Sequence, residues 1–331
     1  MTSFHLPRRA VTTALLIAAG LCSLGAQAQT PAYPSRPVRI IVGFPAGTGP
    51  DIVARLLAQK LSEGWNNMGV IVDNKPGAGG LIAATEAARS APDGYTLMLG
   101  ETGQLSIAPS SYTKLPYDPV ADFAPVSQVV TSDFMLLINP QKVPARNVKD
   151  FVAWSQQQKG LFMGTFGAGT PGHFGAFMFG DAIGQKPEPV HYKNTGDALG
   201  GIFGGDVAGV FASVGLAAPN VKAGKLFALA SSGESRSASL PDVPTFKEQG
   251  YNQLVFNSWF GIVAPSKTPP AIVAKLSADI QKAMKSPDGK TRMEDAGFTV
   301  TGTSSADFAA VIAADTRTWG KAVAATGFKA D

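Results

Sequence analysis

The feature that most constrains the fold of this chain is a strand pattern that runs into a glycine- and proline-rich loop and then into a helix pattern. Residues 38–42 are β-branched and mostly apolar, which is typical of a strand in a parallel sheet. The loop 43–51 follows, and apolar residues at helical spacing begin at Ile52. Pro50 suits a first helical turn, where the missing N–H has no intrahelical acceptor in any case.

Two interpretations of this loop remain open. The unpaired N–H groups of a helix N-terminus, together with the helix dipole, carry about half a positive charge and form a ready anion site. The loop then either binds a carboxylate or simply connects a strand to a helix. The residues of the loop alone do not distinguish these two interpretations.

The same strand–loop–helix order recurs along the chain. Strand patterns at 70–72 and 95–99 run into glycine-containing loops at 73–80 and 100–104. This spacing predicts an α/β fold with a parallel sheet that has helices on both faces. Ligands of such sheets lie beyond the carboxyl ends of the strands, where we expect all these loops to meet.

A second α/β unit has its own glycine-rich turn at 167–172, which leads from a strand pattern at 162–166 to a helix pattern at 174–183. Long apolar crossovers near 128–138 and 254–263 connect the two units. The chain is therefore predicted to form two lobes, each a mixed, mostly parallel sheet flanked by helices, with two crossover strands as the hinge. Closure about these crossovers would hold a ligand between the two turns.

Two further expectations are a short helix in the second unit and a signal peptide at the N-terminus. A short helix is predicted at Pro219–Ala223. At the N-terminus, Arg8 and Arg9 precede an apolar run that is typical of a secretory signal peptide, with cleavage expected after Ala28. The predicted organisation is a signal peptide at 1–28, a first lobe at 29–130 with 257–331, and a second lobe at 131–256.

Composition and motifs argue against several functional classes. Cys22 is the only cysteine and would leave with the signal peptide, so disulfides and thiol chemistry are not expected. The net charge of +4 comes with no basic cluster interleaved with aromatic residues, which disfavours nucleic-acid binding. No metal-ligand spacing, phosphate-binding loop or nucleophile motif is present. We therefore predict no metal, no cofactor and no catalysis, with an enzyme on a similar two-lobed fold as the rival class.

Histidine and phenylalanine near the second turn each allow two interpretations. His173 lies near a helix N-terminus, where the dipole disfavours its charged form; it either donates to a ligand oxygen or caps the turn. His191, in a strand pattern, is assigned a structural role. Phe174 and Phe177 share a helix face and either pack the core or line an apolar slot for an aromatic or long-chain carboxylate.

Short motifs occur in a fixed order over nearly the whole predicted mature chain. They are YPSRPVR at 33–39, DIVAR at 51–55, NKPGAGG at 74–80, APDGYTL at 91–97, LPYDP at 115–119, DFAPV at 122–126, KAGKL at 222–226, LPDVPT at 240–245 and WFG at 259–261. Together they resemble the Bug family, the periplasmic solute receptors of tripartite tricarboxylate transporters.

The resemblance implies a two-lobed, type II-like periplasmic binding protein that closes about a hinge. Such receptors capture a small carboxylate or dicarboxylate and hand it to membrane permease subunits, or present it to a sensor kinase. The ligand-binding residues expected from this resemblance and from the two turns are Phe44, Ala46, Gly47, Thr48, Asp51, Glu101, Thr102, Gly167, Ala168, Gly169, Thr170, His173, Phe174, Tyr192 and Ser213.

Departures from the family pattern bear on the ligand. Thr48 interrupts the usual glycines, and its hydroxyl either donates to a carboxylate or supports the turn. Where many members carry an Asp after the strand, this chain has Ala212 and Ser213, which disfavours an amino-acid ligand because its amine needs a negative partner. Glu101 would supply the negative partner for an amine if its side chain points into the cleft. We expect a monomeric periplasmic receptor for an aromatic or medium aliphatic acid.

Overall fold

The computed structural model describes residues 33–193 and 195–330, so the predicted signal peptide lies outside the described residues. The strands are β1 (Val38–Val42), β2 (Val70–Asn74), β3 (Thr96–Glu101), β4 (Phe123–Ile138), β5 (Leu161–Thr165), β6 (Pro187–His191), β7 (Gly209–Ser213), β8 (Phe227–Ser231), β9 (Asn257–Pro265) and β10 (Thr299–Val300). The α-helices are α1 (Gly49–Gly64), α2 (Leu81–Ala88), α3 (Ala108–Ser111), α4 (Val148–Ser155), α5 (Pro171–Ala182), α6 (Thr195–Gly204), α7 (Val214–Lys222), α8 (Pro270–Lys285), α9 (Pro287–Asp295) and α10 (Ser305–Thr326). Short 3-10 helices span Ala78–Gly80, Lys247–Gln249 and Asn252–Leu254, and a π-helical turn spans Gly103–Ile107.

Two groups of parallel strands flank two antiparallel crossover strands. In the first group, β1 pairs with β2 and β3; in the second, β5 pairs with β6 and β7. Each antiparallel pair among the described residues involves β4 or β9. The strand order is β2-β1-β3-β9-β4-β7-β5-β6, with β8 and β10 both paired to β4. The predicted mixed α/β fold is confirmed.

Strand β4 connects the two groups. Its first part, Phe123–Asp133, pairs with β9, and its last part, Phe134–Leu137, pairs with β7. The strand begins before the apolar run that predicts the crossover, and the register shifts between Pro125 and Ser127. A proline cannot donate to the ladder, which is why such irregularities accompany it. The carboxyl ends of β1 and β3 and of β5 and β7 are thereby brought to the same region.

Helix α7 begins five residues earlier than the helix predicted at Pro219–Ala223. Pro219 lies inside it and has no N–H to donate to the carbonyl four residues before. Val214 and Leu216 are buried in a core cluster with β4 and β7, and this burial stabilises the helix despite the missing bond. The earlier start places the N-terminus of α7 directly after the last residue of β7.

The contacts place the residues from Arg36 onwards in one unit. The division into lobes at 130/131 and 256/257 therefore stays a prediction. In the part of the chain that the structure describes, no helix combines the length and the apolar character needed to cross a membrane.

Candidate functional site

Three helix N-termini converge on one small cavity of about 50 Å³. Helices α1, α5 and α7 each contribute their cap or first turn to its wall. The lining residues are Phe44, Thr48, Gly49, Pro50, Glu101, Phe134, Phe166, Thr170, Pro171, Gly172, Phe211, Ser213, Leu216 and Phe260. Each helix start carries N–H groups without an intrahelical acceptor and a partial positive charge. This cavity is therefore suited to an anion that has an apolar part.

The first turn is held together by its own side chains. The Thr48 hydroxyl donates to the Pro45 carbonyl at 2.6 Å, so it supports the turn. Gly47 has a φ of +79°, which glycine adopts readily, and its N–H donates to Asp51 Oδ2 at 2.9 Å. Of the first residues of α1, Gly49 lines the cavity and keeps an N–H that no intrahelical carbonyl can accept.

Asp51 is buried at the base of this turn. Besides the Gly47 N–H, it accepts hydrogen bonds from Asn74 Nδ2 at 3.0 Å and from the Arg55 guanidinium at 2.9–3.0 Å. Burial alone would raise its pKa, but the hydrogen bonds from Arg55, Gly47 and Asn74 outweigh that and the pKa is lowered. The Asp51 carboxylate therefore supports the turn, and Asp51 is not among the residues that line the cavity.

The second turn is built in the same way. The Thr170 hydroxyl donates to the Gly167 carbonyl at 2.9 Å and accepts from the His173 N–H, which caps α5. His173 is fully buried, and its Nδ1 accepts from the Gly169 N–H at 3.1 Å. Burial and the neighbouring His191 lower the pKa of His173 to about 3. His173 therefore caps the turn as a neutral ring.

The turns of the two strand groups contact each other. A Cβ atom added to Gly49 would lie 2.8 Å from Ser213 Oγ, and one added to Gly79 would lie 2.6 Å from the Ala168 carbonyl oxygen. Tyr112 Oη donates to the same carbonyl at 3.5 Å. At Gly79 the near atom belongs to the backbone, so only glycine permits the approach, whereas a side chain at residue 49 would have to displace the Ser213 hydroxyl.

A larger cavity of about 520 Å³ adjoins the small one and shares Phe44 and Phe166 with it. It is lined by Tyr112 and by four backbone segments at 43–45, 76–80, 166–168 and 191–193. Lys193 and His191 bring polar groups to its wall. The two phenylalanines thus belong to the walls of both cavities.

Glu101 is the last residue of β3, and it carries the one ionisable side chain among the described residues that line the small cavity. It is 5% exposed, and its Oε1 has no hydrogen-bond partner within the described residues. Burial raises its pKa to about 8, so the carboxyl group is mostly neutral near pH 7 in this structure. Gln104 holds its backbone in place, since Gln104 Oε1 accepts from the Glu101 N–H at 3.1 Å.

The structure brings together some of the residues predicted from the sequence and not others. The small cavity is lined by Phe44, Thr48, Glu101, Thr170 and Ser213, and the larger one by Phe44, Gly167, Ala168 and Tyr192. Asp51, Gly169 and His173 support the turns, and Ala46 and Gly47 are exposed outside both cavities. Thr102 is fully buried, and its hydroxyl accepts from the Trp259 N–H at 3.0 Å.

Alternation along β7 decides which residues face the small cavity. Phe211 and Ser213 line it, while Ala212 points to the other face and is buried in a core cluster. The end of β7 therefore presents Ser213, and not Ala212, to the small cavity. Sequence reasoning missed Phe211, and the two-residue period of the strand is the signal that could have found it.

The aromatic residues of the second turn divide between core and cavity. Phe174 is fully buried in a core cluster, and Phe177 packs against that cluster. Phe166 lines both cavities, and the missed residues Phe134 and Phe260 come from the crossover strands. An apolar slot is therefore present, but it is built largely from residues outside the turn.

We expect leucine substitutions to separate these two roles. Phe166→Leu should weaken ligand binding several-fold with little change in stability, because this ring lies on the cavity wall. Phe174→Leu should lower the free energy of unfolding by about 1–2 kcal/mol and leave affinity nearly unchanged, because it leaves a void in the core. Urea unfolding and titration calorimetry of both variants test this; equal effects on affinity would contradict the assignment.

The fold and the cavity define a class, the periplasmic binding proteins. R. palustris Rpa4515 with adipate superposes with a TM-score of 0.86 at 29% identity, covering 90% of this chain and 99% of that chain. MatC (Rpa3494) from Rhodopseudomonas palustris with bound malate gives a TM-score of 0.82 at 30% identity, covering 88% of this chain and 100% of that chain.

Residues 53–328 match the family described as "Tripartite tricarboxylate transporter family receptor". Protein BugT of Bordetella pertussis is 34% identical over 256 residues, 77% of this chain and 78% of BugT. The chain belongs to this family of solute receptors. Its members are binding proteins and not enzymes, which confirms the predicted class. Among the described residues, no group of three or more His, Cys, Asp or Glu side chains could hold a metal ion.

Proposed function

We propose that this chain captures a small organic carboxylate or dicarboxylate between two lobes and delivers it to the permease subunits of a tripartite tricarboxylate transporter. The observation that carries this proposal is the convergence of the N-termini of α1, α5 and α7 on one cavity. Each helix start offers N–H groups and positive potential to an anion. The relatives solved with adipate and malate, both dicarboxylates, support this ligand class.

The wall of the cavity favours an acid with an apolar part. Five phenylalanines and one leucine line it: Phe44, Phe134, Phe166, Phe211, Phe260 and Leu216. Burial of an aromatic or medium aliphatic chain against them would stabilise the complex, whereas the several charges of citrate would remain without cationic side chains. An aromatic or medium aliphatic acid is therefore the favoured ligand.

Ligand entry requires the two lobes to separate. The cavity of about 50 Å³ is far below the roughly 300–1,000 Å³ of ordinary ligand pockets. The proposed lobes, residues 29–130 with 257–331 and residues 131–256, meet at β4 and β9, so opening would occur about these two strands. The receptor is proposed to act as a monomer in the periplasm, after cleavage of the signal peptide at Ala28.

Binding measurements test this proposal directly. Mass spectrometry of protein purified without denaturation should find a co-purified acid, and calorimetry should find saturable binding of at least one of adipate, malate, benzoate, citrate and glutamate. No binding of any acid, or turnover of a bound acid, would refute the receptor proposal. Deletion of the gene should abolish uptake of the bound acid; intact uptake with lost induction would instead favour a partner of a sensor kinase.

A further inference from the structure

Two of the hydroxyl groups that line the small cavity already donate their protons to backbone carbonyls and are not free to donate to a ligand. The Thr48 hydroxyl proton is used by the Pro45 carbonyl, and the Thr170 hydroxyl proton by the Gly167 carbonyl. No Lys, Arg or His is found among the described residues that line this cavity. A carboxylate bound there would therefore need donors other than the two threonines and would have no cationic partner.

Glu101 lines the small cavity and carries a carboxyl group that is a donor when it is protonated. A Cβ atom added to Gly103 would lie 2.6 Å from Glu101 Oε1 and 3.4 Å from the Gly169 carbonyl oxygen. The Glu101 carboxyl group is thus close to the second turn as well as to the end of its own strand. Its Oε1 is buried without a partner in the described residues, which is uncommon for a buried polar atom and points to a ligand.

We propose that Glu101 binds the ligand carboxylate as a neutral acid, donating an O–H···O⁻ hydrogen bond to an oxygen that the three helix N-termini also hold. The inference rests on the proposed function, and it assigns to Glu101 and its carboxyl proton a direct role in ligand binding. Hydrogen bonds between an acid and a carboxylate are short and strong. An ionised Glu101 would instead repel the ligand, so binding is linked to one proton.

No charged side chain faces Glu101 among the described residues that line the small cavity, so only the partial positive charges of the helix starts oppose its protonation. Strand β9 presents Phe260 opposite it, and the turn after β3 presents Gln104. Tyr117, which donates to the Gln104 carbonyl, has a pKa raised by burial and by its neighbours Tyr112 and Glu101, so it is neutral over the same range. Helices α1, α5 and α7 present glycines, prolines and hydroxyl groups. With its pKa near 8, Glu101 keeps its proton at neutral pH.

Calorimetry with adipate tests the proton linkage, because adipate is a dianion throughout the range from about pH 7 to pH 9. Wild-type affinity should fall about tenfold between these values, and binding near pH 8 should take up about half a proton per adipate, measured in two buffers of different ionisation enthalpy. Glu101→Gln keeps an N–H donor, so it should bind adipate with no such pH dependence. Glu101→Met has a similar size and no donor, so it should bind weakly at every pH.

Hexamethylenediamine tests the opposite assignment, in which Glu101 is the anionic partner of an amine. Diamine binding that releases a proton near pH 7, with no adipate binding, would overturn both this inference and the proposed function. Adipate binding that is independent of pH, or unchanged in Glu101→Met, would overturn the inference alone.

The heat stability of Glu101→Gln provides a readout that does not involve ligand. A raised pKa means that the fold favours the protonated carboxyl group, so the wild type loses stability as the pH rises from about 4.5 through about 8. We expect the variant to melt at a higher temperature than the wild type near pH 9 and at a similar temperature near pH 5. Equal melting temperatures at both values would contradict a protonated Glu101.

Discussion

Gly49→Leu is expected to weaken adipate binding by at least about a hundredfold, or about 2.7 kcal/mol, while the protein remains folded. Gly49 is the first residue of α1, and a Cβ atom there would lie 2.8 Å from Ser213 Oγ, at the start of α7. A leucine side chain would fill the small cavity and keep the two helix starts apart. The clash lies between the two strand groups, so each group can still fold.

The matched control is Gly64→Leu, in the last residue of the same helix. A Cβ atom on Gly64 meets no atom within 4 Å, and the residue is exposed. We expect this variant to bind adipate as the wild type does. Calorimetry measures the affinities, and circular dichroism measures the melting temperatures. Unchanged affinity in Gly49→Leu would show that the ligand does not occupy the cavity between α1 and α7.

Asp51→Ala is expected to lower the free energy of unfolding by about 1.5–3 kcal/mol, because it removes a buried charged acceptor and the hydrogen bonds that it receives. The Gly47 N–H and the Asn74 side chain both donate to this carboxylate. The Arg55 pair contributes little, since 54% of the Arg55 side chain is exposed. Ligand affinity should fall as well, because the first turn loses the contact that holds Gly47 in its left-handed conformation.

Asp307→Ala is the matched control, since Asp307 is the third residue of α10 as Asp51 is the third residue of α1. Both carboxylates lie in a first helical turn, but Asp307 is exposed and its partner is the neighbouring Ser304 hydroxyl. Its loss should lower the free energy of unfolding by only about 0.5–1 kcal/mol. Urea unfolding of both variants measures the difference, and equal losses would contradict a special role for Asp51.

The stabilisation from Asp51 should also depend on pH. Its pKa is lowered in the folded state, so its contribution is fully present above the unfolded value of about 3.9 and is lost as the pH falls through the folded value. Wild type and Asp51→Ala should therefore approach equal stability under strongly acidic conditions. A constant difference from neutral to acidic pH would show that the carboxylate charge does not matter.

Local patterns are enough to predict the strands and turns that surround the site. The pattern at residues 38–42 predicts a strand, and β1 spans Val38–Val42, because a β-branched run that ends at a glycine has little alternative. The order of the short motifs along the chain indicates the receptor family, and the family match confirms it. The start of α7 is missed because Pro219 is a local signal against a helix, whereas the burial of Val214 is not visible locally.

The sequence by itself determined the α/β fold, the two glycine-rich turns and the family of solute receptors, because these depend on residue spacing and short motifs. Only the tertiary structure decided which groups meet at the cavity. It paired the Thr48 hydroxyl with the Pro45 carbonyl, placed Phe174 in the core, and brought Glu101 beside the second turn. The physical reason is that hydrogen-bond partners, burial and pKa depend on contacts between segments far apart in the chain.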